Sequence, residues 1–243
     1  MPAPRAFCTD DTMTNAKDKL IVALDLPSYD DARVLVNRLG DTVTFYKIGL
    51  ELLFSDGLSL ASELKQEGKR VFLDLKFLDI GNTVERAVAS AAALGVDFIT
   101  VHGPDTKTLK AAVRGRGDST LKILAVTVLT SLDQGDLDEQ GIPLTPGALV
   151  LSRARIAHNA GVDGVIASGQ EAAAIRAKTG SEFLIVTPGI RLPGSETGDQ
   201  ARITTPEEAI RDGANHIVVG RPINAAKDPK AAAEAFLSRI ANT

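Results

Sequence analysis

The sequence predicts a single-domain α/β fold, a closed (β/α)8 barrel of the TIM type. Short apolar runs alternate with helical stretches along the chain, and such alternation is typical of a parallel sheet covered by helices. About eight repeats fit into the 243 residues, close to the ~250 residues typical of these barrels. A doubly wound sheet is the alternative, but no G-x-G-x-x-G motif follows the first apolar run to support it. No linker or composition shift divides the chain.

Each predicted strand is a short apolar run. Runs without polar alternation indicate strands buried on both faces, as expected in a parallel barrel. The connections between successive runs are long enough for right-handed crossovers. The predicted strands are residues 20–24, 43–48, 71–76, 97–101, 121–128, 164–167, 183–187 and 216–219.

Helices are predicted where apolar residues recur at helical spacing or where alanine is abundant. Asp30 and Asp31 lie in the first turn of the first helix, where negative charge suits the helix dipole. Gly68, Gly95 and Gly161 follow predicted helices as C-terminal stops. The predicted helices are residues 28–39, 57–66, 82–94, 105–113, 133–140, 146–160, 170–178, 206–212 and 229–240.

The composition is that of an ordinary soluble globular protein, with 44% apolar and 24% charged residues. The net charge of -4 and the lack of a Lys/Arg block give no support for binding to nucleic acid or to a membrane. Residues 1–18 lack the apolar core of a signal peptide, so we expect a flexible leader over residues 1–18 and the barrel domain over residues 19–243. Because Cys8 is the one cysteine, no intrachain disulfide can form, and we expect a cytoplasmic location.

The third predicted strand carries two opposite charges on one face. Side chains alternate along a strand, so Asp74 and Lys76 project side by side on the face that also holds Phe72. Burying charge is costly unless the charges are paired. A structural ion pair is one interpretation, but Asp79 and Thr83, which follow at a predicted helix start, favour a functional site.

Further polar residues fall at the ends of other predicted strands. The active site of such a barrel lies at the carboxyl ends of its strands, so these residues are expected to share one site, although any one of them alone is equally a solvated strand end. They are Asp25, Lys47, Thr130, Arg191 and Arg221.

Two glycine-containing loops are candidates for holding a phosphate. Phosphate sites in these barrels commonly use the loops after strands seven and eight, which here are residues 187–191 and 219–223. Gly189 and Gly220 let backbone N–H groups approach an anion, and Arg221 supplies a planar guanidinium. An ordinary helix start, where proline is common, is the alternative interpretation of the second loop.

The remaining features narrow the chemistry. Residues 188–202 form a long Gly- and Pro-containing loop that resembles a lid over a ligand, with an ordinary mobile loop as the alternative. His102, His158 and His216 lack metal-ligand spacing, and only His102 lies at the correct strand end to line the pocket. No P-loop is present. The groups that remain for catalysis and binding are lysines, carboxylates and the candidate phosphate site.

Taken together, these motifs resemble those of orotidine 5'-monophosphate decarboxylases of the bacterial type. The resemblance covers the chain except residues 1–18 and depends on the whole set, since each motif alone is weak. Two departures are visible: Leu78 replaces a His and Gly81 replaces a Pro. Neither changes a charged residue, so we expect activity to survive, although Gly81 could loosen the turn before the helix. The motifs are Asp25, K-I-G at 47–49, D-L-K-F-L-D-I-G-N-T at 74–83, V-T-V-L-T-S at 126–131, P-G-I-R at 188–191, G-D-Q at 198–200 and G-R-P-I at 220–223.

The resemblance implies a homodimeric enzyme that decarboxylates orotidine 5'-monophosphate to UMP and carbon dioxide in de novo pyrimidine biosynthesis, without metal or cofactor. It implies that Lys76 protonates C6 of the pyrimidine and that Asp74 lies near the departing carboxylate. Lys47 and Asp79 complete the implied set of catalytic Lys and Asp residues. The other implied positions are Asp25 and Lys47 at the ribose, Asp79, Ile80 and Thr83 in the neighbouring subunit's pocket, Thr130 at the pyrimidine, Gln200 between lid and phosphate, and Pro188, Arg191, Gly220 and Arg221 at the phosphate end.

Two other functions stay open from the sequence. A metal-dependent sugar-phosphate decarboxylase or aldolase of the same barrel group would share D-x-K-x-x-D, but such enzymes resemble a design with a carboxylate on the second strand, where this chain has Lys47. A non-catalytic nucleotide-phosphate binding protein is the other alternative. The intact set of Lys47, Asp74, Lys76 and Asp79 disfavours it.

Overall fold

The computed structural model describes residues 15–194 and 202–243 of the chain. In this part of the chain, eight parallel strands close into one barrel in sequence order, with the last strand paired to the first. The predicted (β/α)8 barrel is therefore confirmed. The strands are β1 (Leu20–Ala23), β2 (Phe45–Gly49), β3 (Arg70–Phe77), β4 (Phe98–His102), β5 (Lys122–Val126), β6 (Gly164–Ile166), β7 (Leu184–Thr187) and β8 (His216–Val219).

The helices lie outside the barrel, and the longer ones match the predictions to within a few residues. The short elements, α2, α10 and a 3-10 turn at Gly40–Thr42, were not predicted as separate elements, because three or four residues are too few to show a helical period. The helices are α1 (Tyr29–Leu39), α2 (Leu50–Leu53), α3 (Gly57–Gln66), α4 (Gly81–Ala93), α5 (Thr106–Arg116), α6 (Gln134–Glu139), α7 (Pro146–Ala160), α8 (Gly169–Thr179), α9 (Pro206–Arg211), α10 (Arg221–Asn224) and α11 (Pro229–Ala241).

Alternation along the strands divides the apolar side chains into two layers. One layer fills the space between strands and helices and contains Val71 and Leu73 of β3. The other fills the barrel interior and contains Phe72 together with Phe45 and Phe98. The face predicted for Asp74 and Lys76, which they share with Phe72, therefore points into the barrel.

The amino end of the barrel is closed by an aromatic and cationic cluster. The Arg70 guanidinium carbon lies 4.0 Å from the ring centroid of Phe45. The His216 ring packs edge-on against Phe45 and Phe98, at centroid distances of 5.8 and 5.2 Å. Its Nδ1 lies 2.9 Å from the carbonyl oxygen of Asp18. Burial lowers the pKa of His216 to about 4, so the ring is neutral near pH 7.

The residues just before β1 also pack on the barrel. Residues 15–19 form a helical turn, and Ala16 is buried in the layer between strands and helices. The expected division into a leader and a barrel domain at residue 18 stays a prediction, but the folded part includes this earlier turn. None of the helices in the described part of the chain is long and apolar enough to cross a membrane.

Candidate active site

A bulge in β3 brings Lys76 to the carboxyl end of the barrel. Leu73 pairs with Ile99, and the next pair is Phe77 with Val101, so four steps along β3 match two along β4. Within this bulge Lys76 has a φ of 50°, which is unusual for a residue other than glycine. Such a backbone costs about 1–3 kcal/mol and persists only where its surroundings hold it.

Thr100 on β4 is one of the groups that hold the bulge. Its Oγ1 accepts a hydrogen bond of 2.9 Å from the backbone N–H of Lys76. The same hydroxyl donates to Asp74 Oδ1 at 2.9 Å, and Thr100 is fully buried. One side chain therefore fixes both the strained backbone of Lys76 and the neighbouring carboxylate.

Four side chains of alternating charge form a row, here called the charged chain: Asp25, Lys47, Asp74 and Lys76. Lys47 Nζ donates to Asp25 Oδ1 at 2.8 Å and lies 3.5 Å from Asp74 Oδ2. Lys76 Nζ donates to the other carboxylate oxygen, Asp74 Oδ1, at 2.8 Å. The side chains of Lys47 and Asp74 are 8% and 14% exposed, whereas that of Lys76 is 30% exposed. The last ammonium of the row therefore faces the open space.

The electrostatics keep the middle of the charged chain ionised. Burial lowers the pKa of Lys47, but the attraction of Asp74 and Asp25 outweighs it, so the pKa lies above its ordinary value. Burial raises the pKa of Asp74, but Lys47 and Lys76 outweigh that, and the pKa lies below its ordinary value. Each buried charge is thus compensated by its neighbours.

Two adjoining cavities open at this end of the barrel. The larger has a volume of about 570 Å³ and the smaller about 210 Å³. Both are lined by Lys47, Asp74, Lys76, Pro188 and Val218. Lys47, Asp74 and Lys76 of the charged chain therefore lie where the two cavities meet.

The larger cavity has a cationic end. Arg191 and Arg221 line it together with the backbone of Gly189 and Gly220. Gly189 has a φ of 76°, a conformation that favours glycine. Asp25 of the charged chain also lines this cavity. An anionic group at the guanidinium end and hydroxyl groups near Asp25 suit this lining.

The smaller cavity is mainly apolar. Thr130 and Ser131 contribute hydroxyl groups to a lining that otherwise contains Phe72, Val126 and Ile166. A flat, weakly polar ring fits such a lining better than a charged group does.

Asp79, Ile80 and Thr83 are not among the described residues that line these cavities. Asp79, Ile80 and Thr83 are exposed near the start of α4, and Asp79 Oδ1 accepts from the backbone N–H of Ile80 at 2.6 Å. Gln200 lies outside the described residues, as do the other residues of 195–201 within the predicted lid. His102 is half-buried and is not among the described residues that line either cavity, and burial and Lys76 lower its pKa.

Comparison with known proteins identifies the family. Residues 18–236 match the model of the Orotidine 5'-phosphate decarboxylase / HUMPS family. The chain belongs to this family. The predicted resemblance to orotidine 5'-monophosphate decarboxylases is confirmed.

Relatives of the orotidine 5'-phosphate decarboxylase / HUMPS family match almost the whole chain. The Orotidine 5'-phosphate decarboxylase of Rhodopseudomonas palustris strain BisA53 is 55% identical over 225 residues, covering 93% of this chain and 95% of the relative. That of Caulobacter vibrioides strain NA1000 is 54% identical over 230 residues, covering 93% and 98%. The crystal structure of Orotidine 5'-phosphate decarboxylase from Lactobacillus acidophilus aligns with a TM-score of 0.81 at 40% identity, covering 92% of this chain and 99% of that chain.

The two departures from the family motif lie away from the charged chain. Leu78 is 58% exposed. Gly81 begins α4, and the backbone N–H groups of Thr83 and Val84 bond to the Ile80 carbonyl at 2.9 and 3.2 Å. Ordinary helix hydrogen bonds therefore hold the turn that contains Gly81.

Two residues that support the site were missed from the sequence. Thr100 was not singled out, although it is a polar residue two positions after the inward-facing Phe98 and so shares its face. Gly49 was noted only within the K-I-G motif. A Cβ there would lie 2.9 Å from Asp25 Oδ1 and 3.0 Å from Lys47 Nζ, so glycine makes room for their ion pair.

Within the part of the chain that the structure describes, potential metal ligands do not come together as in a metal site. Across residues 15–194 and 202–243, no group of three or more His, Cys, Asp and Glu residues is arranged to hold a metal ion.

Proposed function

We propose that the protein decarboxylates orotidine 5'-monophosphate to UMP and carbon dioxide, with Lys76 as the proton donor to C6 of the pyrimidine. The observation that carries the proposal is the ammonium group of Lys76, 2.8 Å from Asp74, in the lining shared by a cavity with two arginines and a mainly apolar cavity. Relatives at 54–55% identity carry the name of this activity.

The reaction needs a fixed positive charge next to C6. When the bond between C6 and the carboxyl carbon breaks, the electron pair stays on C6 and carbon dioxide leaves. No adjacent group delocalises this pair. An ammonium held in place stabilises the developing charge without reorganisation and then donates its proton to C6. Lys76 is left neutral and regains a proton from water before the next turnover.

Asp74 holds the proton donor in position. It accepts from Lys76 Nζ and from the Thr100 hydroxyl on the same oxygen, Oδ1. Its lowered pKa keeps it ionised, so it attracts the Lys76 ammonium throughout the pH range in which the enzyme is expected to work. In the proposed complex the substrate carboxylate lies close to Asp74 and is released as neutral carbon dioxide.

The rest of the substrate occupies the larger cavity. We assign the ribose hydroxyls to Asp25 and Lys47, which form an ion pair in the lining of this cavity. We assign the phosphate to Arg191, Arg221 and the backbone of Gly220, with Pro188 lining the same end. Binding energy from this remote phosphate can contribute to the transition state at C6. Thr130 contacts the pyrimidine from the smaller cavity, and Gln200 keeps its expected role at the phosphate.

A homodimer completes the proposed site. Asp79, Ile80 and Thr83 follow β3 and are exposed in the single chain, so they are available to a second subunit. Large apolar side chains are exposed on the loop after β3, where Leu78 is 58% and Ile80 74% exposed, and Phe54 after α2 is 88% exposed. Apolar surface of this kind supports burial against a partner, and Asp79 would then extend the charged chain of the neighbouring subunit.

The proposed reaction draws on no metal and no cofactor. In a metal-dependent sugar-phosphate enzyme a metal ion would lie among carboxylates at this end of the barrel, but here the ammonium of Lys47 lies between Asp25 and Asp74. A cation therefore already compensates both acids. As a step of pyrimidine biosynthesis the reaction belongs in the cytoplasm, and the single cysteine fits that reducing compartment.

One assay tests the proposal against both alternatives. The purified chain is incubated with orotidine 5'-monophosphate, with and without EDTA, and the fall in substrate ultraviolet absorbance is followed. We expect equal turnover in both samples. Loss of turnover with EDTA would support the metal-dependent alternative, and binding without turnover in either sample would support a non-catalytic protein.

A further inference from the structure

The backbone that follows β5 is held by two arginines from other parts of the chain. Nη1 of Arg153 on α7 donates to the carbonyl oxygen of Thr127 at 2.5 Å. Nη2 of Arg202 lies 3.4 Å from the carbonyl oxygen of Val128 and 3.2 Å from that of Leu129. Three consecutive carbonyl groups thus face a guanidinium. We call Arg153 and Arg202 the arginine clamp.

Arg202 is itself fixed by a buried ion pair. Its Nη1 donates to Glu171 Oε1 at 2.6 Å, and both side chains are only 11% exposed. Glu171 lies in the first turn of α8, whose first residue, Gly169, packs so closely that a Cβ there would be 2.7 Å from Thr204 Oγ1. Breaking a buried pair leaves an uncompensated charge, so the Arg202 guanidinium has little freedom to move.

The clamped segment leads directly into one end of the site. Val128, Leu129, Thr130 and Ser131 all line the smaller cavity, and none of them lines the larger one. Val128 is buried, so the wall that it forms follows the backbone. Moving this backbone would therefore reshape the smaller cavity and leave the guanidinium end of the larger cavity unchanged.

The inference rests on the proposed function. We infer that Arg153 and Arg202 are positioning residues that set the pyrimidine end of the substrate site by holding the carbonyl groups of residues 127–129. Neither side chain lines either cavity, so both act through the backbone. The two arginines come from different parts of the chain and contact different carbonyl groups. Loss of Arg153 frees the carbonyl group of Thr127, whereas loss of Arg202 frees those of Val128 and Leu129.

The test compares two ligands that share the larger cavity but differ at the pyrimidine end. Affinities for UMP and for ribose 5-phosphate are measured by calorimetry on the full-length protein and on its Arg153→Met and Arg202→Met variants. We expect UMP affinity to fall at least about fivefold, with ribose 5-phosphate affinity changed by less than about twofold, the difference expected if only the smaller cavity is reshaped. Arg153→Lys keeps one donor and should restore part of the loss.

Arg176 supplies a matched control at the opposite end of the barrel. It also holds backbone carbonyls, donating to Phe183 at 2.6 Å and to Gly213 at 2.7 Å. Arg176→Met should lower the melting temperature, but it should not lower the affinity for UMP relative to the affinity for ribose 5-phosphate. A parallel fall of UMP and ribose 5-phosphate affinity in the clamp variants, or no fall in folded variants, would overturn the inference.

The lysine variants keep the test decisive if a methionine variant does not fold. If Arg202→Met does not fold because Glu171 is left unpaired, Arg202→Lys keeps a charge at that site but cannot reach both carbonyl groups. Arg202→Lys must then lower the affinity for UMP more than the affinity for ribose 5-phosphate. If it lowers neither affinity, or both equally, the positioning role of Arg202 is refuted. Turnover by the unaltered protein is measured in parallel. A failure of that assay refutes the proposed function, whereas unaffected clamp variants of an active enzyme refute the clamp alone.

Discussion

Replacement of Lys76 by alanine separates catalysis from folding. The change removes one of three partners of Asp74, which keeps the Thr100 hydroxyl at 2.9 Å and Lys47 at 3.5 Å. The carboxylate is therefore still compensated, and we expect a folded protein. Loss of a proton donor costs about 10²–10⁴ in rate, and loss of a preorganised charge costs about 10²–10³. Because one ammonium does both, kcat should fall by about four orders of magnitude or more.

Lys65→Ala is the matched control for this prediction. Lys65 Nζ lies 2.7 Å from Asp97 Oδ2, and its side chain is 27% exposed, close to the 2.8 Å and 30% of the Lys76 pair. Asp97 directly precedes β4, at the opposite end of the barrel. Turnover is followed by substrate ultraviolet absorbance, and UMP binding by calorimetry. A Lys76→Ala rate within tenfold of wild type, or an equal loss in Lys65→Ala, would refute the assignment of the proton donor.

Four further predictions test the phosphate end, the glycine beside the charged chain, the closed end of the barrel and the dimer. Arg221→Ala should raise KM about 10- to 100-fold by removing a charged hydrogen-bond donor, and an unchanged KM would count against the phosphate assignment. Gly49→Ala places a Cβ 2.9 Å from a carboxylate oxygen and 3.0 Å from an ammonium nitrogen, so kcat/KM should fall about tenfold. Gly147→Ala, which meets nothing within 4 Å, should keep the wild-type value. The pKa of His216, lowered by burial to about 4 from 6.5, means that the unfolded chain binds more protons between these values. The free energy of unfolding should therefore decrease as pH falls through this window, by up to about 3 kcal/mol. Urea denaturation at pH 7 and pH 4.5 should show a smaller decrease for His216→Phe, and identical decreases would contradict the assignment. Ile80→Asp places a charge on a residue that is 74% exposed in the single chain. Sedimentation should show a shift to monomer with a parallel loss of turnover, and an intact dimer would argue against this surface as the interface.

The alternation rule was enough to predict the inner face of β3. Phe72, Asp74 and Lys76 occupy alternate positions, so spacing alone predicts that the two charges share a face with Phe72. The structure shows that this face points into the barrel. The order of the strands follows from their number and their connections. Together these two rules bring the strand-end residues Asp25 and Lys47 to the same place before any coordinates are known. The alternation of side chains along a strand and the order of the strands therefore make this part of the fold predictable.

The geometry of the charged chain could not be predicted in the same way. A period of two assumes a regular strand, whereas β3 carries a bulge between Leu73 and Phe77. The bulge depends on the fully buried hydroxyl of Thr100 on the neighbouring strand. The need for glycine at position 49 depends on where two long side chains meet. The bulge and the need for glycine both depend on contacts between different strands, which the sequence of a single strand does not predict.

The strain at Lys76 and the neutrality of the charged chain serve one physical requirement. A flexible lysine in water would rotate freely and would lose the advantage of a fixed charge. Here the bulge restricts its backbone, and Asp74 restricts its ammonium at 2.8 Å. Asp74 remains an anion at this depth because Lys47, on its other side, adds to the attraction of Lys76 and lowers the pKa of the carboxylate. The ribose-binding ion pair and the proton donor are therefore parts of one electrostatic unit, and changing Lys47 should reduce kcat as well as substrate affinity.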